Sequence, residues 1–222
     1  MERFLVERLE VENLGPFEGR HVFDFGVPGD NRSTIVVGNN GSGKTMLFRT
    51  LCWLLGQRLS YTEERLFSGD MLDHHGRGGV FEFSATVTLR YGDAVETRSG
   101  RRGDTFGPID LPGGVSVIDD WMHRPYEDEF LAGGGHGSGA LILHALERII
   151  TAASEERIPP ILFVEDVLGR LVIEQIGEAY RLLSNYPGQV IKFAGTSIHF
   201  AKPGVPSVLD EWRRIDLASP TF

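Results

Sequence analysis

Apolar and polar positions alternate most cleanly between residues 79 and 98. Phe81, Phe83, Ala85, Val87 and Leu89 interleave with Glu82, Ser84, Thr86, Thr88 and Arg90. A period of two sets one face of a strand on a core and the other in water. Tyr91-Gly92-Asp93 then predicts a turn into a second strand around residues 94–97. Upstream, residues 5–11 and 21–25 read as strands joined at Gly15-Pro16, and residues 33–37 form a β-branched run suited to the middle of a sheet. Leu47, Leu51, Leu54 and Leu55 recur at helical spacing, with Gly56 as the stop and Cys52 as an inert core thiol.

Beyond a loop-like stretch at 100–114 and a short apolar run at 115–118, the period changes. From residue 138, Leu141, Ile142, Ala145, Leu146, Ile149 and Ile150 mark a helix. A buried strand at 161–164, a helix at 171–183 and a strand at 190–194 follow. Such alternation predicts an α/β fold with a parallel core sheet flanked by helices. The expected organisation is one domain over residues 1–222. Its antiparallel β-rich part covers about 1–35 and 79–118, and its α/β part about 36–60 and 138–222. No repeat, low-complexity segment or linker divides the chain.

Composition narrows the function classes. The chain has 222 residues, of which 41% are hydrophobic and 24% charged, a soluble globular balance. A net charge of −9 argues against a simple charge-driven nucleic-acid binder, so a DNA contact would need a local basic patch. The single cysteine excludes an internal disulfide framework and a multi-cysteine metal site. Neither a signal peptide nor a membrane-long apolar run is expected, which makes a cytoplasmic protein without a membrane partner the default. Of 22 basic residues only Lys44, Lys192 and Lys202 are lysines.

One of those lysines lies in Gly38-Asn39-Asn40-Gly41-Ser42-Gly43-Lys44-Thr45, which fits the phosphate-loop pattern at every specified position. A predicted buried strand precedes it and an amphipathic helix follows. The glycines let backbone N–H groups curl around a phosphate, and the helix N-terminus adds its dipole. Lys44 is expected to reach the β- and γ-phosphates of ATP and the Thr45 hydroxyl to bind Mg²⁺.

The opening Leu9-Glu10-Val11-Glu12-Asn13-Leu14-Gly15-Pro16-Phe17, then Phe23-Asp24-Phe25 and the phosphate loop, resemble the N-terminal lobe of ABC-type ATPase heads of the SMC, RecF and OLD-like branch. That resemblance implies a P-loop NTPase head with an antiparallel N-terminal β-subdomain, working in chromosome maintenance, repair or anti-phage defence. Pro160-Ile161-Leu162-Phe163-Val164-Glu165-Asp166 resembles the Walker B strand. The resemblance assigns Glu165 to Mg²⁺ and Asp166 to polarising the attacking water; the family's usual order is Asp then Glu. His199 resembles the switch histidine that contacts the γ-phosphate.

Two registers compete for the signature motif, Leu131-Ala132-Gly133-Gly134-Gly135 and Gly137-Ser138-Gly139. Spacing to Glu165 favours Ser138-Gly139, with Ser138 as the N-cap of the following helix. Its implied job is to contact the γ-phosphate held by a second protomer. The resemblance therefore implies a homodimer around two Mg-ATP, driving or gating a partner effector such as a nuclease, with DNA reached through the assembly. The Q-loop glutamine has no counterpart; Asp119, Asp120 or His123 could stand there. The D-loop aspartate falls near Val172. The inverted Glu165-Asp166 pair and the missing Q-loop favour, as an alternative, a nucleotide sensor that scarcely hydrolyses. A transporter subunit is less expected, because the Q-loop is absent and the N-terminal strands look SMC-like. The stretch between Thr45 and Gly133 is too short for a long coiled coil and shows no heptads.

Three smaller patterns resolve blandly. Asp110-Leu111-Pro112-Gly113 lacks the apolar strand and guanine motif of a GTPase. Asp73-His74-His75 reads as a solvated loop rather than a zinc site. Arg98, Arg101 and Arg102 could contact DNA, but a solvated hairpin end is the simpler reading.

Overall fold

A computed structural model describes residues 4–26, 33–57, 82–110, 113–118, 137–165, 168, 171–195 and 212–218. Strands β1 (Phe4–Leu14), β2 (Phe17–Asp24), β4 (Ser84–Tyr91) and β5 (Ala94–Arg101) make an antiparallel sheet in the order β2-β1-β4-β5. Its inner face follows the predicted alternation: Phe83, Ala85, Val87 and Leu89 are buried while Ser84, Thr86 and Thr88 are half-exposed. On β1 the buried set runs Phe4, Val6, then Leu9 and Val11, a break in the period of two. The pairing with β4 shifts register between Val6 and Arg8, and this irregularity keeps both halves of the strand facing the core.

The second sheet is parallel throughout, in the order β6-β7-β8-β3-β9. It contains β3 (Thr34–Gly38), β6 (Val115–Ile118), β7 (Ile161–Val164), β8 (Val190–Gly195) and β9 (Arg213–Asp216). Helix α1 (Lys44–Leu54) lies between the sheets, where Leu47, Phe48, Leu51 and Trp53 share one core with β1, β4, Val36, Phe163 and Phe193. Helices α2 (Ser138–Glu155) and α3 (Ile173–Ser184) cover the other face, packing Ile142, Leu146, Ile176 and Tyr180 against Ile35, Val37, Leu162 and Val164. Both faces of β3, β7 and β8 are thus covered, as their unbroken apolar runs require.

The two sheets are tied by a buried side chain. Gln189, which directly precedes β8, accepts from Val6 N–H through Oε1 at 2.8 Å and donates to the carbonyls of Val6 at 3.0 Å and Phe25 at 3.2 Å.

Some boundaries differ from the sequence reading. β6 belongs to the parallel sheet, paired with β7 from Val115↔Ile161 to Ile118↔Val164, not to the antiparallel part. Val115 and Val117 lean on the core between the sheets while Ile118 joins the opposite core, so both faces of this strand are apolar. The Ser138 N-cap is also corrected. The cap is Gly137, and Ser138 is the first helical residue. Gly137 adopts φ 93° and ψ 138°, a conformation that a serine would adopt only with strain. Helix α3 starts at Ile173 rather than 171, and β9 was not expected from the sequence.

Candidate functional site

The phosphate loop leaves the C-terminal end of β3, inside the sheet between β8 and β9. Gly38 ends the strand in register with Gly195 of β8. Asn39, Asn40 and Gly41 are exposed, so the loop tip is open, whereas Ser42 is buried beneath it. The Ser42 Oγ has no hydrogen-bond partner and packs against Gly38, leaving no room for a Cβ there. In α1 the Leu47 N–H bonds to the Gly43 carbonyl at 2.9 Å, so the N–H groups of Lys44, Thr45 and Met46 lie ahead of that first helical bond. They aim at the loop's mouth with the positive end of the helix dipole. Thr45 is exposed beside them.

Lys44 folds back over the loop. Its Nζ donates to the Gly38 carbonyl at 2.6 Å and the Asn39 carbonyl at 2.9 Å. Gly43 stands at φ 95°, a left-handed conformation that favours glycine, and its Cα lies under the β1–β2 turn. A Cβ at this position would sit 2.5 Å from Phe17 Cζ and 2.8 Å from Pro16 Cγ. The antiparallel sheet thus braces the phosphate loop through the Gly15-Pro16-Phe17 turn.

Glu165 directly follows β7, at the same C-terminal edge of the sheet as the loop. Two strand spacings of about 5 Å separate β7 from β3, with β8 between. The half-buried Glu165 donates its N–H to the Ile118 carbonyl at 2.9 Å, and its own carbonyl accepts from Lys192 Nζ at 2.9 Å. Lys192 was counted among the lysines but given no role by the sequence reading. The signal was present: a single charge interrupts the apolar run of β8.

Ser138 and Gly139 open α2. Gly139 lies directly against the Gln175 side chain, with no space for a Cβ. Gln175 Oε1 in turn accepts from the Val172 N–H at 3.3 Å, half of a capping box at the start of α3. The helix proposed to carry the signature therefore abuts the segment that follows β7. Asp166, His199, the Leu131–Gly135 alternative, Asp119, Asp120, His123 and the Asp73-His74-His75 run lie outside the described residues. Among the described residues no cluster of three or more His, Cys, Asp or Glu side chains is arranged to hold a metal.

The arginine cluster divides. Arg98 lies over the Phe106 ring at 5.4 Å, and its Nη1 donates to the carbonyls of Leu54 and Gly107, both at 3.0 Å. It closes the C-terminal end of α1 and is spent inside the molecule. Arg101 is exposed, and its backbone N–H bonds to the Asp104 carboxylate at 2.8 Å.

These residues fit a nucleoside triphosphate. Helix-end N–H groups, an ammonium, an open loop tip and a hydroxyl converge at one sheet edge, with a carboxylate-bearing strand two places away. Backbone N–H groups and Lys44 suit phosphate oxygens, and Thr45 with Glu165 offers oxygen ligands suited to Mg²⁺.

Fold and loop together define an α/β P-loop NTPase fold. A family model described as an AAA domain matches residues 8–117, from within β1 to within β6, phosphate loop included. The SMC head domain from Thermotoga maritima superposes with a TM-score of 0.56 at 12% identity, over 93% of this chain and 92% of that one. An SMC head bound to the C-terminal winged-helix domain of ScpA gives 0.54 at 11% identity, over 91% of each chain. No curated protein matches the sequence. The chain thus shares the fold of SMC head domains. No described helix is long and apolar enough to cross a membrane.

Proposed function

We propose that the protein binds Mg-ATP at the phosphate loop, hydrolyses it, and pairs with a second copy around the bound nucleotide. The observation that carries this reading is Lys44, held over an open loop at the N-terminus of α1, on the same sheet edge as Glu165. The loop N–H groups and Lys44 would hold the phosphates, and Thr45 and Glu165 the Mg²⁺, with Asp166 polarising water. His199 would sense the γ-phosphate. Bound Mg²⁺ supplies charge neutralisation on the phosphates.

A head of this kind needs a second chain, because Ser138 and Gly139 open a helix on the far side of the parallel sheet from α1. Offered across a two-fold interface, that helix start would complete the partner's γ-phosphate site. The solved SMC head bound to a ScpA domain supports the further reading that this head drives or gates a partner protein, such as a nuclease acting on DNA.

Binding and turnover test the reading together. Lys44→Ala should weaken ATP binding about 10- to 100-fold, the worth of a charge-assisted contact to phosphate. Asp166→Asn should lower turnover by roughly 10²- to 10⁴-fold and accumulate an ATP-bound dimer on sizing chromatography. A wild-type protein that binds ATP yet shows no turnover, alone or with DNA, would instead be a nucleotide sensor. The Glu165-Asp166 order favours that second reading, since the shorter aspartate reaches less far toward water. A wild type that binds no ATP refutes both.

A further inference from the structure

We infer that Lys192 is a positioning residue for the Glu165 carboxylate at the end of β7, holding the Glu165 carbonyl and placing a positive charge at its root. The inference rests on reading the phosphate loop as an ATP site.

Lys192 is the middle of a strand whose other residues are apolar or glycine, Val190, Ile191, Phe193, Ala194 and Gly195. It is fully buried, with Cα partners Val164 on β7 and Ile35 on β3. Val190 and Ala194, which share its side of the strand, pack into the apolar core under α2 and α3. Lysine is almost never buried so completely, because desolvating an ammonium is costly, and a methionine would fill the same volume without that cost. The position therefore requires the donor or the charge.

The acceptors show what the ammonium holds. Nζ donates to the Phe193 carbonyl at 2.8 Å and to the Glu165 carbonyl at 2.9 Å. The second contact leaves the sheet ladder and reaches the residue just past β7. Glu165 is then pinned on both sides, its N–H by Ile118 of β6 and its carbonyl by Lys192 of β8. That carbonyl belongs to the peptide joining Glu165 to Asp166. Holding it fixes the Glu165 backbone from which the carboxylate side chain leaves. A residue that orients a metal-binding carboxylate from behind typically alters metal affinity or activity about 10- to 100-fold when lost.

Lys192→Met and Lys192→Gln, compared with wild type, decide the matter. Affinity for a fluorescent ATP analogue is measured in EDTA and in saturating Mg²⁺, with kcat, KM and Tm on the same samples. In Lys192→Met, metal-free affinity should stay within about twofold, while the gain from Mg²⁺ and kcat each fall about tenfold or more. Lys192→Gln, which keeps a donor without the charge, should lie between. A Lys192→Met protein that keeps both the Mg²⁺ gain and kcat within twofold, whatever its Tm, overturns the inference. Equal losses with and without Mg²⁺ also overturn it, because they describe a general loosening of the sheet. Should Lys192→Met not fold, Lys192→Gln is judged by the same outcomes. Failure of wild type to bind ATP in either condition refutes the ATP-site reading itself, and the role of Lys192 with it.

Discussion

Phe17 is packed onto the phosphate-loop residue Gly43 so closely that a single added carbon on Gly43 would stand 2.5 Å from the ring. The ring is itself buried, edge-on to Phe23 at 5.2 Å, and cannot retreat without disturbing the β1–β2 hairpin. Gly43→Ala therefore meets two penalties, a left-handed φ of 95° and a collision with an anchored aromatic. The strained backbone alone is worth about 1–3 kcal/mol. Gly43→Ala should both lower Tm and abolish ATP binding. Lys44→Ala, one residue on, should weaken binding about 10- to 100-fold at near wild-type Tm, since the Gly38 and Asn39 carbonyls that its half-buried ammonium holds belong to the loop itself. Thermal unfolding and nucleotide titration of the two variants separate the brace from the ligand. Equal Tm values would show that Phe17 does not hold the loop.

Gln189→Leu should be among the more damaging single changes away from the loop. The carboxamide satisfies the N–H and carbonyl of Val6 and the carbonyl of Phe25, all in the seam between the sheets. Leucine would leave these buried groups without their partner, a loss of about 2–4 kcal/mol. For a domain of this size that corresponds to a Tm lower by roughly 5–15 °C. A drop under 2 °C would mean that water replaces the amide and the seam is not dry.

The parts of this architecture that were legible are those written in adjacent residues. The phosphate loop announces itself by spacing, and the β4–β5 hairpin by alternation around Gly92-Asp93. Pairings over long distances left no such trace. Val115 to Ile118 is four residues long, and nothing in them says that the neighbour is β7 rather than β5. Arg213 to Asp216 carries alternating burial but only one apolar side chain, as an edge strand that pairs with β3 alone can. Ser138 obeyed the rule for a cap, yet Gly137 took the position because the chain enters α2 through a conformation that favours glycine. The role inferred for Lys192 needed the structure, since its acceptor at Glu165 is 27 residues away in sequence.

Arg98→Ala should act on stability and not on DNA affinity. The guanidinium holds the last carbonyl of α1 and the Gly107 carbonyl while lying over Phe106. Losing these contacts should cost about 1–3 kcal/mol, and Arg98→Lys should recover little because an ammonium lacks the planar, stacking head. Denaturant unfolding gives the stability change. A fall in DNA binding by the folded variant, measured at fixed salt, would return Arg98 to the nucleic-acid surface.

Gly139 and Gln175 should prove coupled. A Cβ on Gly139 would displace the Gln175 carboxamide, which is the far end of a flexible chain and can swing away, but only by releasing the Val172 N–H at the start of α3. Gly139→Ala alone should therefore cost about 0.5–2 kcal/mol, the range of a lost helix cap. Gln175→Ala alone should cost a similar amount for the same reason. In the double variant the methyl group meets no carboxamide, so the two losses should sum to more than the measured total by at least 0.5 kcal/mol. A strictly additive cycle would mean that the two helix starts do not communicate. The same four proteins then test the dimer: if the start of α2 completes a partner's nucleotide site, Gly139→Ala should reduce ATP-dependent dimerisation in the Asp166→Asn background more than Gln175→Ala does. Only Gly139 stands beside Ser138 at that helix start, whereas Gln175 lies behind it on α3.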